Sequence, residues 1–558
     1  MRYKKIIFSI LSFLFLLSLS SCFLGISLDN LNDFSKNEKK RMEEYYGIVL
    51  PYCTGYSYKI NDTYNEDFQF EYKVSNIKEK DYQDYVNQFK EYKLIRERID
   101  EKTSMEYKTF FDTNTNTYID LCYYTGELFY KPYLDVYMYQ RGYVDYYDTY
   151  YTNEDNPIFL LGDTIDMNNS KYPNLSYING YDYFCPSKGD VKILVLPIDF
   201  YDKPYNRNTI SIDEIETVLY GTNNISLRNY YLESSYEKLN LSFEVVNSWY
   251  RAKKNSSYYD SSLTISELVN DALAYYDNQY DYSKFDSNSD GAIDGIILVH
   301  TLDSSSKLDI AWPATRNNAK EYGNQKDTYD NVFAYRFYHI NYDQIITRSH
   351  TIDSYTLIHE FGHMMGLDDY YDTNYTDRTF LPPLNGMDVM DGEFTDQNVY
   401  SKLLLGWINE GKVINKSKTI ELNSFEHTGD FAIISNNFDL NYGPFQEFYI
   451  IVYNSGLGLN YSSTSLNQSG IIIYHVDGCL YTYNSGTVMM NYNNDQAGQY
   501  SERFNLIEFA KKDYYPYVLT SDGQTTLNLV DNNKIDLSFT LEMQTINSTK
   551  INLSVTMN

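Results

Sequence analysis

His359-Glu360-Phe361-Gly362-His363-Met364-Met365-Gly366-Leu367-Asp368-Asp369 is the stretch from which the rest of the chain is read. It has the form HExxHxxGxxD. On a helix, His359 and His363 stand one turn apart on one face, where both imidazoles reach a single zinc ion, and Glu360 is placed to activate water there. Gly366 has the freedom to adopt a left-handed conformation, end the helix and turn the chain back, so that Asp369 returns as third ligand. Three protein ligands leave one zinc position open for chemistry. Asp368 and Asp372 are the neighbouring alternatives. Asp353 or Ser354 is placed to cap the helix, and Leu357, Ile358, Phe361, Met364 and Met365 give it an apolar face. These residue types in this register point to zinc peptidase chemistry; two histidines merely hydrogen-bonded in a buried helix are the plain alternative.

Working outward, Asp190-Val191-Lys192-Ile193-Leu194-Val195-Leu196-Pro197-Ile198-Asp199-Phe200 is an apolar, β-branched run suited to a buried strand, and the catalytic unit is expected to begin here. A helix from Leu227 to Tyr236, an alternating strand from Leu239 to Val245 and helical spacing from Thr264 to Tyr276 follow. Asp286, Asn288, Asp290, Ala292 and Asp294 stand at positions one, three, five, seven and nine of an EF-hand-like calcium loop, with Gly291 at the sharp turn. Position twelve is Ile297 rather than glutamate, so calcium needs oxygens from elsewhere, and a plain Asx-rich turn competes. His300 reads as a polar strand end. Past the zinc helix, Met390 is expected to form a hydrophobic floor beneath the metal, with Met387 second and ordinary core packing as the alternative. Tyr400–Ile408 reads as a closing helix ended by Gly406.

From about Glu410 the pattern becomes short strands: Thr419–Leu422, Phe431–Ile434, Phe448–Val452 and Gly470–Val476 fit an all-β unit. His475 and Asp477 read as structural. Upstream, residues 23–188 are polar and Tyr-rich, with helices expected at 36–46 and 78–101, and suggest a propeptide or accessory region. The organisation expected is therefore 1–22 signal, 23–188 N-terminal region, 189–415 catalytic domain and 416–558 β-rich domain.

Lys4 and Lys5, the apolar stretch Ile6–Leu19 and Leu19-Ser20-Ser21-Cys22 have the layout of a secretory signal. The last four residues resemble a bacterial lipobox. That resemblance implies that Cys22 becomes a lipidated first residue, tethering the protein to the membrane at the extracellular face of the cell. Of the remaining cysteines, Cys53, Cys122, Cys185 and Cys479, one of the upstream pair Cys122 and Cys185 is a candidate cap for the zinc of a latent precursor. The formal charge of −30, from 46 Lys plus Arg against 76 Asp plus Glu, excludes nucleic acid as a natural partner.

Taken together, Tyr-Tyr-x-Glu-x-Ser-Tyr at 230–236, the Asp-rich loop at 286–294, HExxHxxGxxD at 359–369, Asp388-Val389-Met390 and Lys402–Trp407 resemble the immune inhibitor A family of secreted zinc metallopeptidases. The resemblance spans roughly residues 189–480. It implies a mixed α/β, metzincin-like catalytic domain, a zinc held by His359, His363 and Asp369, structural calcium, and protein or peptide substrates. It also implies Glu360 as proton carrier, and Tyr370 or Tyr371 is a candidate oxyanion donor. Two other readings remain open at this point. One is a surface adhesion lipoprotein on a degenerate protease fold; the other is a zinc hydrolase acting on a non-peptide bond.

Overall fold

The apolar run after Asp190 becomes an eleven-residue strand, Gly189–Asp199, inside the sheet that carries the site. The computed structural model describes residues 33–558 apart from 61–68, 101–103, 116, 127–130, 141–159, 162–163, 167–182, 207–208, 222–225, 321–326, 347–350, 372–382, 436–437, 439–442, 462, 464–465, 484–486, 491–505, 511–517, 521 and 533–535. The signal, Cys22 and Asp372 lie outside the described residues. Among those described, no helix is long and apolar enough to cross a membrane.

The site-bearing sheet runs Leu239–Val245, Gly189–Asp199, Ile296–His300, Arg336–Asn341 and Ala314–Asn317. The first four pair in parallel and Ala314–Asn317 is an antiparallel edge. The continuous apolar run has a physical reason: side chains alternate in direction, and both faces are covered. Val191, Ile193 and Val195 enter one core with Leu357, Ile358, Phe361 and Met364 of the helix Tyr355–Met364. Leu194, Leu196 and Ile198 enter another with Ile265, Leu268, Val269 and Leu273 of the helix Ser262–Tyr276.

Downstream, a larger sheet containing Glu410–Ile414, Phe431–Ile434, Glu447–Asn454 and Gly470–Asp477 packs on a four-stranded antiparallel sheet of Lys418–Asn423, Gly523–Val530, Asp536–Asn547 and Lys550–Met557. Ile451 and Ile473 meet Leu541 and Leu553 between the layers. The opposite face of the larger sheet, with Ile433, Ile450 and Ile472, shares a core with Tyr400 and Trp407. Strands Leu160–Leu161 and Thr164–Asp166, ahead of residue 188, join this sheet through Glu410–Ile414.

Residues 33–140 build a six-stranded antiparallel sheet with helices Lys36–Tyr46 and Glu79–Val86. Ser35 and Glu38 close a capping box, and Gly47 ends the first helix at φ +69°. The helix expected over 78–101 is corrected: it stops at Val86, and Lys93–Asp100 is a strand paired with Met105–Asp112. Hairpin pairing of this segment with the next strand overrides local helical spacing.

His475 is buried in the strand Gly470–Asp477. Its Nε2 lies 2.8 Å from Glu447 Oε1 and its Nδ1 3.2 Å from Glu508 Oε1. Burial opposes the charge, but hydrogen bonds to both carboxylates hold the imidazolium up to about 10. A folded-state value above that of the unfolded chain gives stability that is complete below about pH 6.5 and lost as pH rises to about 10. The urea midpoint is therefore expected to fall across that window, with a shallower fall in His475→Gln; equal slopes in both proteins would contradict this.

Candidate metal centre

The helix Tyr355–Met364 begins where Asp353 Oδ1 accepts the Tyr355 N–H at 3.2 Å; Ser354 occupies the cap position without a side-chain capping bond. Leu357, Ile358, Phe361 and Met364 bury its apolar face. The helix ends as the glycine predicts: Gly366 has φ +101°, and the Leu367 N–H returns to Gly362 O at 3.2 Å. The reversal carries Asp369 back over the histidines.

His359, His363 and Asp369 offer ligand atoms that all lie within 4.8 Å of one another, and among the described residues they are the only His, Cys, Asp and Glu side chains gathered this way. The imidazole rings stand 5.0 Å apart at 85°. His359 Nε2 and His363 Nε2 approach Asp369 Oδ1 at 3.0 and 3.2 Å. The other nitrogens are committed: His359 Nδ1 bonds Val389 O at 2.7 Å, and His363 Nδ1 bonds Leu367 O at 2.7 Å. With each Nδ1 carrying the proton, a neutral ring presents its Nε2 lone pair toward the carboxylate. Two lone pairs facing an anion repel unless a cation lies between them, so this donor set fits a metal ion. Lacking a metal, the same electrostatics act on protons. Burial opposes a charged His363, yet the adjacent Asp369 raises it to about 9. Burial would raise Asp369, but the two imidazoles hold it well below the usual carboxylate range.

Glu360 points to the edge strand. Its Oε2 accepts the Thr315 N–H at 3.0 Å, and its backbone carbonyl accepts Thr315 Oγ at 2.9 Å. Burial is the main reason its carboxyl is raised above the ordinary value, with the two histidines acting against it.

Met390 is fully buried beneath the helix. A Cβ built on Gly362 would meet Met390 Sδ at 2.5 Å, so the glycine in HEFGH makes room for this methionine. Gly362→Ala is expected to destabilise the protein by about 1–3 kcal/mol, measured by denaturant unfolding. An unchanged midpoint would contradict the close packing. The loop is held by Asp388, whose Oδ1 accepts the Met390 N–H at 2.7 Å and whose Oδ2 accepts the Asn398 N–H at 2.7 Å. Met387 is also buried.

The segment at 230–236 props the helix rather than entering the site. Tyr231 Oη donates to Ile358 O at 2.6 Å, Tyr230 Oη to Thr395 O at 2.8 Å, and Ser234 Oγ to Asp396 Oδ1 at 2.6 Å. Lys402, fully buried, completes this layer with Nζ 2.6 Å from Asp396 Oδ2.

The expectations for Tyr370 and for the upstream cysteines are corrected. Tyr370 is unsuited to oxyanion binding, being buried with its hydroxyl 2.7 Å from Ser401 Oγ; Tyr371 instead stacks 6.2 Å from the His359 ring. Neither upstream cysteine caps the metal group. Cys122 lies in the N-terminal sheet, while Cys185 is buried beside the end of the helix Tyr355–Met364, its N–H on Met364 O. In the Asp-rich loop, Asp286 Oδ1 and Oδ2 accept the N–H groups of Asp290 and Gly291, each at 3.0 Å, Asp290 Oδ1 accepts from Ala292 at 2.8 Å, and Asp294 Oδ2 accepts from Ser287 at 2.8 Å. The Asn288 side chain bonds Asp290 Oδ2 at 2.8 Å. Thus the loop is braced by its own backbone. Thr315, the Val389 carbonyl and Arg336, whose Nη2 bonds His363 O at 2.8 Å, are site-supporting groups that sequence reading missed. Nothing in local spacing marks them, because each reaches the helix from a distant element.

Part of this chain is similar to known metalloproteases. The pre-pro-metalloprotease PrtV of Vibrio cholerae serotype O1, in strains M66-2 and ATCC 39315 (El Tor Inaba N16961), is 29% identical over 239 residues. The match covers 33% of this chain and 25% of each relative, so the chain spans about a quarter of the length of these relatives. No family model matches the chain. The relationship to a metalloprotease is therefore distant and partial, and it agrees in chemistry with the His-His-Asp group.

Proposed function

We propose that this chain is a zinc-dependent endopeptidase of the immune inhibitor A type, with a metzincin-like catalytic unit over about 189–415 and a lipid anchor on Cys22 at the extracellular face of the membrane. The observation that carries the proposal is the convergence of two imidazole Nε2 atoms on the Asp369 carboxylate, with the buried Glu360 carboxylate on the same helix. The similarity to PrtV supports the same class.

His359, His363 and Asp369 would hold the ion. When bound, zinc supplies a Lewis acid that polarises a peptide carbonyl and makes water acidic enough to attack it. Glu360 accepts a proton from the attacking water, whose oxygen becomes part of the new carboxylate. As the C–N bond breaks, Glu360 delivers that proton to the leaving nitrogen. The Thr315 N–H fixes one Glu360 oxygen during this exchange. Burial raises the Glu360 carboxyl toward the range where it both accepts and returns a proton. The similarity to a metalloprotease favours a polypeptide substrate over a non-peptide ester.

Casein digestion by the full chain tests the proposal. Cleavage is expected with zinc, is expected to stop with a chelator and to return on adding zinc. Cleavage indifferent to chelation would refute it. The proposal also includes structural calcium at Asp286, Asn288, Asp290, Ala292 and Asp294. Burial, followed by the like charges of Asp286 and Asp290, pushes Asp294 up to about 6, a strain that a cation would relieve. A calcium-selective chelator is expected to lower the melting temperature by several degrees; an unshifted transition would count against the site.

A further inference from the structure

The helix Tyr355–Met364 buries most of its surface, and Tyr355, Thr356 and His363 are the residues on it that keep partial exposure. Tyr355, His359 and His363 follow one another at intervals of four, so they share one face of the helix. Both ends of that row are partly exposed, which marks this face as the open side of the metal group. Thr356 belongs to a neighbouring face, where its Oγ reaches Gln344 Oε1 at 3.3 Å.

Tyr355 stands one turn, about 5.4 Å along the axis, from the first histidine, and its ring centre is 6.1 Å from that of His359. A second ring closes beside it. Phe394 lies 6.3 Å from Tyr355, and the two ring planes cross at 63°. Phe394 is also partly exposed and is backed by Tyr230 at 5.9 Å. Tyr230 is buried, its hydroxyl fixed on Thr395 O at 2.8 Å. Both rings of the corner pack on the core that holds the helix, so they are ordered before any ligand arrives, which lowers the entropic cost of using them as contacts. Aromatic side chains left partly open beside a reactive centre are typical binding anchors.

Charge decides what the corner accepts. Besides burial, four carboxyl groups act on the Tyr355 phenol, in the order Asp388, Asp369, Asp391 and Glu360. Asp388 spends its two oxygens on the N–H groups of Met390 and Asn398. Asp369 faces the two imidazoles. Burial pushes Asp391 up to about 8, so it is protonated at neutral pH. Glu360 is held on Thr315 and serves the attacking water. No free anion is left to pair with an ammonium or guanidinium group, and a bulky neutral side chain fits two aromatic rings better.

We propose that Tyr355 and Phe394 form an aromatic subsite that receives a bulky apolar side chain of the substrate polypeptide, aromatic above all, one or two residues from the cleaved bond. The assignment rests on the peptidase reading. Successive residues of an extended chain advance about 3.3 Å, so a carbonyl at the metal places side chains one or two residues away level with Tyr355. The two rings set specificity and take no part in proton transfer.

The test uses the zinc-loaded full chain and one peptide scaffold that carries phenylalanine, lysine or glycine, one position at a time, on both sides of the cleaved bond. At one position within two residues of the bond, kcat/KM is expected to be roughly tenfold or more higher with phenylalanine than with glycine, and higher than with lysine. Tyr355→Ala and Phe394→Ala should each bring that ratio toward one at that position alone, and Tyr355→Phe, which keeps the ring, should retain it. Zinc content is measured in every variant; if Tyr355→Ala loses zinc, Phe394→Ala decides. Calorimetry with the same peptides on zinc-loaded Glu360→Gln reads binding apart from cleavage. Cleavage with no preference for phenylalanine, with lysine preferred at the selective position, or with a preference that survives Phe394→Ala would overturn the subsite and leave the peptidase reading standing. No cleavage by the wild type, with binding that prefers phenylalanine and loses the preference in Phe394→Ala, would overturn the peptidase reading and uphold a peptide-binding site. Neither cleavage nor selective binding would overturn both.

Discussion

Replacing Glu360 by glutamine is expected to lower peptide cleavage by about two to four orders of magnitude while leaving the zinc content unchanged. Glutamine keeps the size of the side chain and accepts the Thr315 N–H through its amide oxygen, so the contact now made at 3.0 Å survives. What it loses is a group that takes up a proton. The three groups gathered for a metal are His359, His363 and Asp369, and Glu360 is outside that set. Rate and metal content should therefore separate. Steady-state kinetics on casein or a quenched peptide, with metal analysis of the same sample, reads both quantities. Loss of zinc alongside activity would show that Glu360 holds the metal and would overturn its role as proton carrier.

Asp369→Ala is expected to act the other way round, lowering zinc affinity by at least the 10–100-fold typical of losing even an outer-shell partner, and activity with it. The physical basis is charge. Asp369 Oδ1 stands 3.0 and 3.2 Å from the two imidazoles and is the single carboxylate oxygen gathered with them among the described residues. Removing it leaves two neutral donors. His363, which owes its raised pKa chiefly to Asp369 once burial is overcome, should also fall back toward its ordinary range. Zinc competition against a chromophoric chelator measures the first effect, and NMR titration of the apoprotein the second. Unchanged zinc affinity would remove Asp369 from the ligand set and return the assignment to Asp368 or Asp372.

Local chemistry explains why the core of the site was legible in the sequence. One helix fixes the spacing of His359 and His363, and Gly366 permits the left-handed reversal that places Asp369. The continuous apolar strand at 189–199 was equally plain, since both its faces are buried. Failures came where partners outside the segment decide. Lys93–Asp100 has spacing that suits a helix, but pairing with Met105–Asp112 makes it a strand. Tyr370 follows the motif in sequence, yet the fold turns it toward Ser401. The supports of Glu360 and His359, the Thr315 N–H and the Val389 carbonyl, are backbone groups that every residue type provides, so no side-chain pattern announces them. Gly362 carried a readable signal, a glycine inside a helix, whose reason is the sulfur of Met390 packed against it.

Anomalous diffraction at the zinc edge from crystals of the full chain grown with zinc locates the metal. One strong peak per chain is expected, bounded by His359 Nε2, His363 Nε2 and the Asp369 carboxylate, with Glu360 beside it but not bound to it. A peak elsewhere, or none between these three side chains, would contradict the assignment of this group as a metal centre.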